Sequence, residues 1–162
     1  MVNLPALKDH ESAGVTLALK NLSHGLVNNV NRSHLSNTAN VCGAFIPAVV
    51  SMPVIRNKAV LHVLDGIRAL YHGGPSANAR FVWEHRHLYF ATDPVALDRV
   101  GWKALDAQRA AVGMKPIAEA KPDDVTSIFN RQPEHIEIAG ALGLGIWDER
   151  RIDLRKRELK GA

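Results

Sequence analysis

The run Ala59-Val60-Leu61-His62-Val63-Leu64 limits the fold of this chain more than any other stretch. It is apolar on both alternating faces, interrupted only by His62, and it ends in Asp65-Gly66. A run this short and this apolar reads as a buried central strand. Such a strand needs neighbours along its edges and helices over its faces. The rest of the sequence offers both. Residues 2–7, 80–83 and 88–92 have strand composition, and Glu84-His85-Arg86-His87 between the last two suits a hairpin tip. Val15, Leu19 and Leu22 recur at helical spacing, which predicts a helix over 13–22 capped by Ser12 and closed by Gly25. Val41, Ala44, Phe45, Ala48, Val49 and Met52 repeat the helical interval across Pro47, so a kink or two short helices are expected there, ended by Pro53.

Thr92-Asp93-Pro94 predicts a helix start, with the helix running to 112 and Gly113 just beyond. Short helices are expected over 124–129 and from Pro133 to Gly143-Leu144-Gly145, then a last strand over 152–154. Strands alternating with helices indicate an α/β fold: a mixed sheet with flanking helices, including one antiparallel hairpin. The 162 residues fit a single domain, 1–162, that ends in a basic segment over 150–162.

Composition removes several function classes. Hydrophobic residues at 46% and charged residues at 22% are ordinary for a globular chain, which argues against disorder. The apolar stretch around 41–50 is too short to span a membrane and contains Pro47, so no membrane partner is expected. The N-terminus lacks a basic region followed by an apolar one, so the chain as written reads as cytoplasmic, with a periplasmic location open to a longer parent. Cys42 is the single cysteine, which excludes an internal disulfide and any cysteine-only metal site, and in its apolar helical pattern it reads as structural. The formal charge is +4, with Arg150, Arg151, Arg155, Lys156, Arg157 and Lys160 crowded at the end. Trp147 is the nearest aromatic to that cluster, so it reads as a solvated edge or tail and not as a nucleic-acid surface.

The residues that could carry chemistry fall into four groups. Thr16, Lys20 and His24 are spaced by four and stack on one helix face, beside Asn21, with Lys8 and His10 just before the helix start, where anions bind readily. A solvated helix face is the plainer account of the same pattern. Asp65 stands at the carboxyl end of the expected central strand, where open α/β sheets hold ligands, although Asp-Gly is also common turn chemistry. His62, inside the apolar run, reads as a hydrogen-bonded core histidine. Asp93 has a local explanation as a helix cap. Asp98, five residues on, lies roughly 140° around the helix, so a metal shared by Asp93, Asp98 and Asp65 would have to bridge segments. His85 and His87 have chelate spacing on a regular strand. GxSxG, P-loop, GxGxxG and HExxH patterns are absent.

Leu7-Lys8-Asp9-His10 followed by Gly14-Val15-Thr16-Leu17-Ala18-Leu19-Lys20-Asn21 resembles the signature of the domain of unknown function 362 family. So do Val63-Leu64-Asp65-Gly66-Ile67, Gly74-Pro75, Asp93-Pro94-Val95-Ala96-Leu97-Asp98 and Gly143-Leu144-Gly145. Asp9 departs from the pattern, since the family commonly has threonine there. Family members are generally longer, with a preceding α/β half, and some carry ferredoxin-like cysteine modules or an export signal. The resemblance therefore implies that this chain begins near the family's middle. It implies no iron–sulfur cluster from this chain, and a homodimer that covers what the missing half leaves open. It also marks Lys8, His10, Lys20, Asn21, Asp65 and Asp93 as site residues.

Together these features lead us to expect a hydrolase, metal-assisted, acting on a small ester- or lactone-like molecule. His10, Lys20 and Asp65 would be catalytic; Lys8, Thr16, Asn21 and His24 would bind the substrate; Asp65, Asp93 and Asp98 would hold the metal. Oxygen ligands would suit Ca²⁺ or Mg²⁺, and added histidine would favour Zn²⁺. The alternative is a non-catalytic anion-binding or redox-partner module that uses the same cleft.

Overall fold

The structure is a computed structural model that describes residues 1–34, 41–119 and 132–159. Its strands are β1 (Val2–Asn3), β2 (Ala6–His10), β3 (Gly14–Val15), β4 (Leu61–Leu70) and β5 (Val82–Ala91). Its helices are α1 (Leu17–His24), α2 (Val41–Val50), α3 (Pro53–Arg56), α4 (Pro94–Ala111) and α5 (Glu134–Ala141). The apolar run becomes the middle strand, β4. Strands β1 and β2 lie parallel along one of its edges, with Val2 opposite Leu61 and Ala6 opposite Asp65. They are two pieces of one line, broken at Leu4-Pro5, where proline has no N–H to give the ladder. Strand β5 runs antiparallel along the other edge from His62↔Ala91 to Leu70↔Val82. The short β3 folds back on β2. The result is a mixed α/β sheet with flanking helices.

Several elements differ from the sequence expectation. Strand β4 continues past Asp65 to Leu70, because Asp65, Ile67 and Arg68 point to solvent while their backbone still pairs. Asp65 is therefore a mid-strand residue. Residues 82–91 form one strand, so Glu84 to His87 are no hairpin tip; Arg86, at φ 58, accommodates a register shift opposite 66–68. Helix α1 begins at Leu17 and not at 13, because residues 10–15 make a tight β turn in which Ala13 N–H donates to the His10 carbonyl at 3.2 Å. Ser12 is consequently no cap. Gly25 does close α1, in right-handed geometry at φ −73. Pro47 sits inside α2, and Pro53 opens α3 instead of ending an element. No strand forms over 152–154, where short-range Asp153–Arg155 pairing leaves the chain solvated. The helix expected over 124–129 lies outside the described residues.

Helices α1 and α4 cover the inner face of the sheet, and Leu7, Leu17, Leu19, Leu64, Val95 and Leu105 are fully buried between them. Leu17 has φ 46, a left-handed conformation that costs a non-glycine residue about 1–2 kcal/mol. Asp98 of α4 offsets that strain. One of its carboxylate oxygens accepts the Ala18 N–H at 2.6 Å and the other the Leu19 N–H at 2.9 Å. The first turn of α1 is thus held from across the core by a neighbouring helix.

Candidate functional site

The pinned helix carries Lys20 inward. Its side chain is buried, with the residue only 6% exposed, and its ammonium has no hydrogen-bond or ion-pair partner among the described residues. Burial pulls it down to about 8, with the Cys42 thiol acting the other way. Nζ is not among the fully enclosed unpartnered atoms, so a largely buried side chain carries its charge to the edge of the site, where a ligand can reach it.

Imidazoles surround it. His10, at the end of β2, accepts the Ser12 N–H at Nδ1, 3.1 Å away, so its own proton sits on Nε2. Burial first, then the charge of Lys20, hold His10 down to about 2, leaving a neutral ring that can only donate from Nε2. The His10 ring centre lies 5.6 Å from that of His34, and His34 lies 5.1 Å from His24. Burial, aided by Lys20, likewise takes His24 down to about 3. His135 of α5 is fully buried with both ring nitrogens unpartnered, close enough for Lys20 and His24 to depress it further.

Of the residues expected at the site, the structure brings Lys20, His10 and His24 together. Lys8 donates from Nζ to the Pro75 carbonyl at 3.0 Å, tying β2 to the 71–81 connection. Gly74 makes that approach possible, since a Cβ there would lie 2.2 Å from the Asp9 carbonyl oxygen. Thr16 is the N-cap residue of α1, and its buried hydroxyl has no partner. Asn21 donates to Asn3 Oδ1 at 2.7 Å, and Asn3 in turn reaches His62 Nδ1 and the Ala18 carbonyl. Asn21 and His62 therefore belong to a polar strut between α1 and the sheet.

The carboxylates do not join the cluster. Asp65 is exposed and accepts the Ile67 N–H; it alternates with His62 along β4, so it points away from the face that α1 covers. Asp93 caps α4 through Val95 and Ala96 and also accepts the Ile146 N–H. Both Asp98 oxygens are occupied by α1. Among the described residues, the one group of three potential metal ligands with atoms mutually within 4.8 Å is His24, His34 and Cys42. The His85 and His87 rings stack at 4.2 Å, with His85 Nε2 on the Tyr89 hydroxyl and His87 Nδ1 on the His85 carbonyl.

His34 and Cys42 are the residues that sequence reasoning passed over. Cys42 has the apolar setting expected of it, but α2 packs on α1 and places its sulfur beside the histidines. The repeated dipeptides Ser23-His24 and Ser33-His34 were the available signal. In the fold they interlock, with Ser33 Oγ 2.7 Å from His24 Nε2 and Ser23 Oγ 3.0 Å from His24 Nδ1.

Asp9 adds a pH-dependent element beside this site. Its carboxylate accepts the Gly74 N–H at 2.9 Å, yet burial raises it to about 6, against the pull of that bond and of Arg109. A carboxyl raised above its unfolded value favours folding fully at low pH, and the benefit is lost as pH climbs from about 4 through about 6. Asp9→Asn keeps an acceptor for Gly74 and removes the charge. It is expected to flatten the stability–pH curve between pH 4 and 6 and to raise stability at pH 7 by about 2–3 kcal/mol. Urea unfolding midpoints across that range check this; a variant less stable at pH 7 would refute it.

A family model described as a domain of unknown function (DUF362) matches residues 1–103. The chain belongs to that family. The matched stretch includes Lys8 to Asn21, Asp65-Gly66, Gly74-Pro75 and Asp93 to Asp98, while Gly143-Leu144-Gly145 lies outside it. No curated protein and no solved structure matches the chain. No helix among the described residues is long and apolar enough to cross a membrane.

Proposed function

We propose that the chain is a metal-assisted hydrolase of a small ester- or lactone-like molecule, with Lys20 at the centre of the site. The observation that carries the reading is the largely buried Lys20 side chain, its ammonium without a hydrogen-bond or ion-pair partner among the described residues, set among histidines held neutral. A carbonyl oxygen lying between Lys20 Nζ and the His10 Nε2–H would gain negative charge as water adds to its carbon. Donors fixed in a dry site stabilise that oxyanion far better than water does. A bound divalent metal would supply the other half of the chemistry by making water acidic enough to attack at neutral pH. Collapse of the tetrahedral adduct then releases the alcohol and leaves the carboxylate beside Lys20.

The unpaired ammonium also supports a second reading, a non-catalytic module that retains a small carboxylate or phosphate. A panel of short esters and lactones, assayed by proton release with and without chelator, separates the two. Turnover that stops with chelator fits the proposal. Turnover that survives complete metal removal would sink its metal part, and tight carboxylate binding without turnover would favour the module.

We also propose that two copies associate through the outer face of the sheet. Strand register puts Val2, Leu61, Val63, Leu88 and Phe90 on that face around the exposed Asp65, and Val2 and Phe90 are 54% and 66% exposed. Pairing this surface with its own copy would bury apolar area that otherwise faces water, and a stable interface needs roughly 1,000 Å² or more. Light scattering is expected to give twice the 17.7 kDa chain mass, and Phe90→Glu to halve it. A wild-type mass of one chain would overturn the dimer.

A further inference from the structure

We propose that His24, His34 and Cys42 bind a thiophilic divalent transition metal of the Zn²⁺ class. The site goes beyond the hydrolase reading and rests on its own geometry. The three donor atoms lie mutually within 4.8 Å. Donors around a tetrahedral zinc stand about 3.5 Å apart, given Zn–N near 2.0 Å and Zn–S near 2.3 Å, so closure by roughly an ångström would seat an ion. They come from three places, the end of α1, the turn after Ser33 and the first turn of α2. An ion there would tie these segments together.

Each imidazole can keep one ring nitrogen with a lone pair. His34 Nδ1 is 2.8 Å from the Val30 carbonyl, an acceptor only, so the ring donates there and leaves Nε2 basic. Metal-binding histidines are held in this way by a backbone carbonyl on their second nitrogen. For His24, Ser23 Oγ–H donates to the Lys20 carbonyl at 3.1 Å, which makes that oxygen the acceptor for His24 Nδ1–H. His24 Nε2 then carries the lone pair and lies 2.7 Å from Ser33 Oγ. The Ser33 hydroxyl donates to the Val30 carbonyl at 2.8 Å, so it keeps an acceptor when an ion takes Nε2. No buried donor is orphaned by the exchange.

Two further observations favour a cation at this point. His135, fully buried with neither nitrogen partnered, adds an uncommitted imidazole near His24. The donor set contains sulfur and nitrogen but no carboxylate, which selects Zn²⁺, Co²⁺ or Cu over Mg²⁺ and Ca²⁺. On binding, the Cys42 thiol gives up its proton to solvent and the thiolate donates its pair to the ion, with no redox change.

The test uses the full chain, stripped with chelator and titrated with Co²⁺ and Zn²⁺. One equivalent of Co²⁺ is expected to give thiolate-to-cobalt charge-transfer absorption and tetrahedral d–d bands, both bleached by Zn²⁺. Cys42→Ser should abolish the charge-transfer band, and His34→Gln should weaken Zn²⁺ affinity about tenfold or more. Circular dichroism on the stripped variants separates loss of ligand from loss of fold. Absence of the band in folded wild type, or unchanged Zn²⁺ affinity in both variants, would overturn the site. A metal-loaded protein that turns over nothing would leave the site standing and remove the hydrolase. Chelator-insensitive hydrolysis with no Co²⁺ band would remove the site and, with it, the metal part of the hydrolase reading.

Discussion

Lys20→Met is expected to cut ester or lactone turnover by about a hundredfold or more while making the protein more stable at neutral pH. Removing one preorganised oxyanion donor typically loses about 10²–10³ in rate. The stability change has the opposite sign because Lys20 is buried and unpaired. Its ammonium is held at about 8, below the usual lysine value near 10.4, so the unfolded chain binds the proton more tightly. The charge therefore opposes folding at every pH below about 8, and the penalty is relieved as pH rises from 8 towards 10.4. Methionine fills similar space without the charge, and a gain of about 2–3 kcal/mol at pH 7 follows. A residue kept for packing would lose stability on substitution. Denaturation and initial rates on the same sample decide between the roles, and a variant with full activity or reduced stability would refute this one.

Asp98→Ala is expected to lower stability by about 2–6 kcal/mol, a large share of the 5–15 kcal/mol typical of a domain. Both carboxylate oxygens serve α1, at the Ala18 and Leu19 amides, and the residue is fully buried. Alanine would leave two buried N–H groups without acceptors, each worth about 1–3 kcal/mol, beside the strained Leu17. Asp98→Asn should be milder, since its carbonyl serves one amide while its NH₂ faces the other, and it removes a carboxyl that burial pushes well above its usual range. Because this contact fixes where α1 starts, Asp98→Ala should also loosen Lys20 and His24 and lower activity. Urea unfolding of the three proteins checks the order; a loss below about 1 kcal/mol for alanine would contradict it.

The difference in role between Asp98 and Lys20 shows where the sequence was readable. Periodicity marked α4 and its Asp93-Pro94 start, and the apolar run marked β4, because local backbone chemistry sets those features. His62 likewise proved hydrogen-bonded, to Asn3. Tertiary partners decide what Asp98 does. Nothing in Asp93-Pro94-Val95-Ala96-Leu97-Asp98 says that its last residue caps a helix some 80 positions away, as the Ala18 bond shows. The direction of Asp65 depended on how far β4 runs, and solvent-facing polar residues do not stop a strand whose backbone remains paired. Lys20, His10 and His24 were legible because helical spacing and the strand–helix junction bring them together locally. His34 and Cys42 were not, because their approach to His24 depends on how α2 packs against α1.

Hydrolysis itself is tested most directly by the origin of the oxygen in the product. Metal-loaded protein is incubated with the panel's esters and lactones in water enriched in oxygen-18, and the released acid is weighed by mass spectrometry. The proposal expects one solvent oxygen in the carboxylate of the acid and none in the alcohol, with the labelled product falling about a hundredfold in Lys20→Met. No acid from any panel member, or equal labelled product from wild type and Lys20→Met, would contradict the proposal that Lys20 anchors a hydrolytic site.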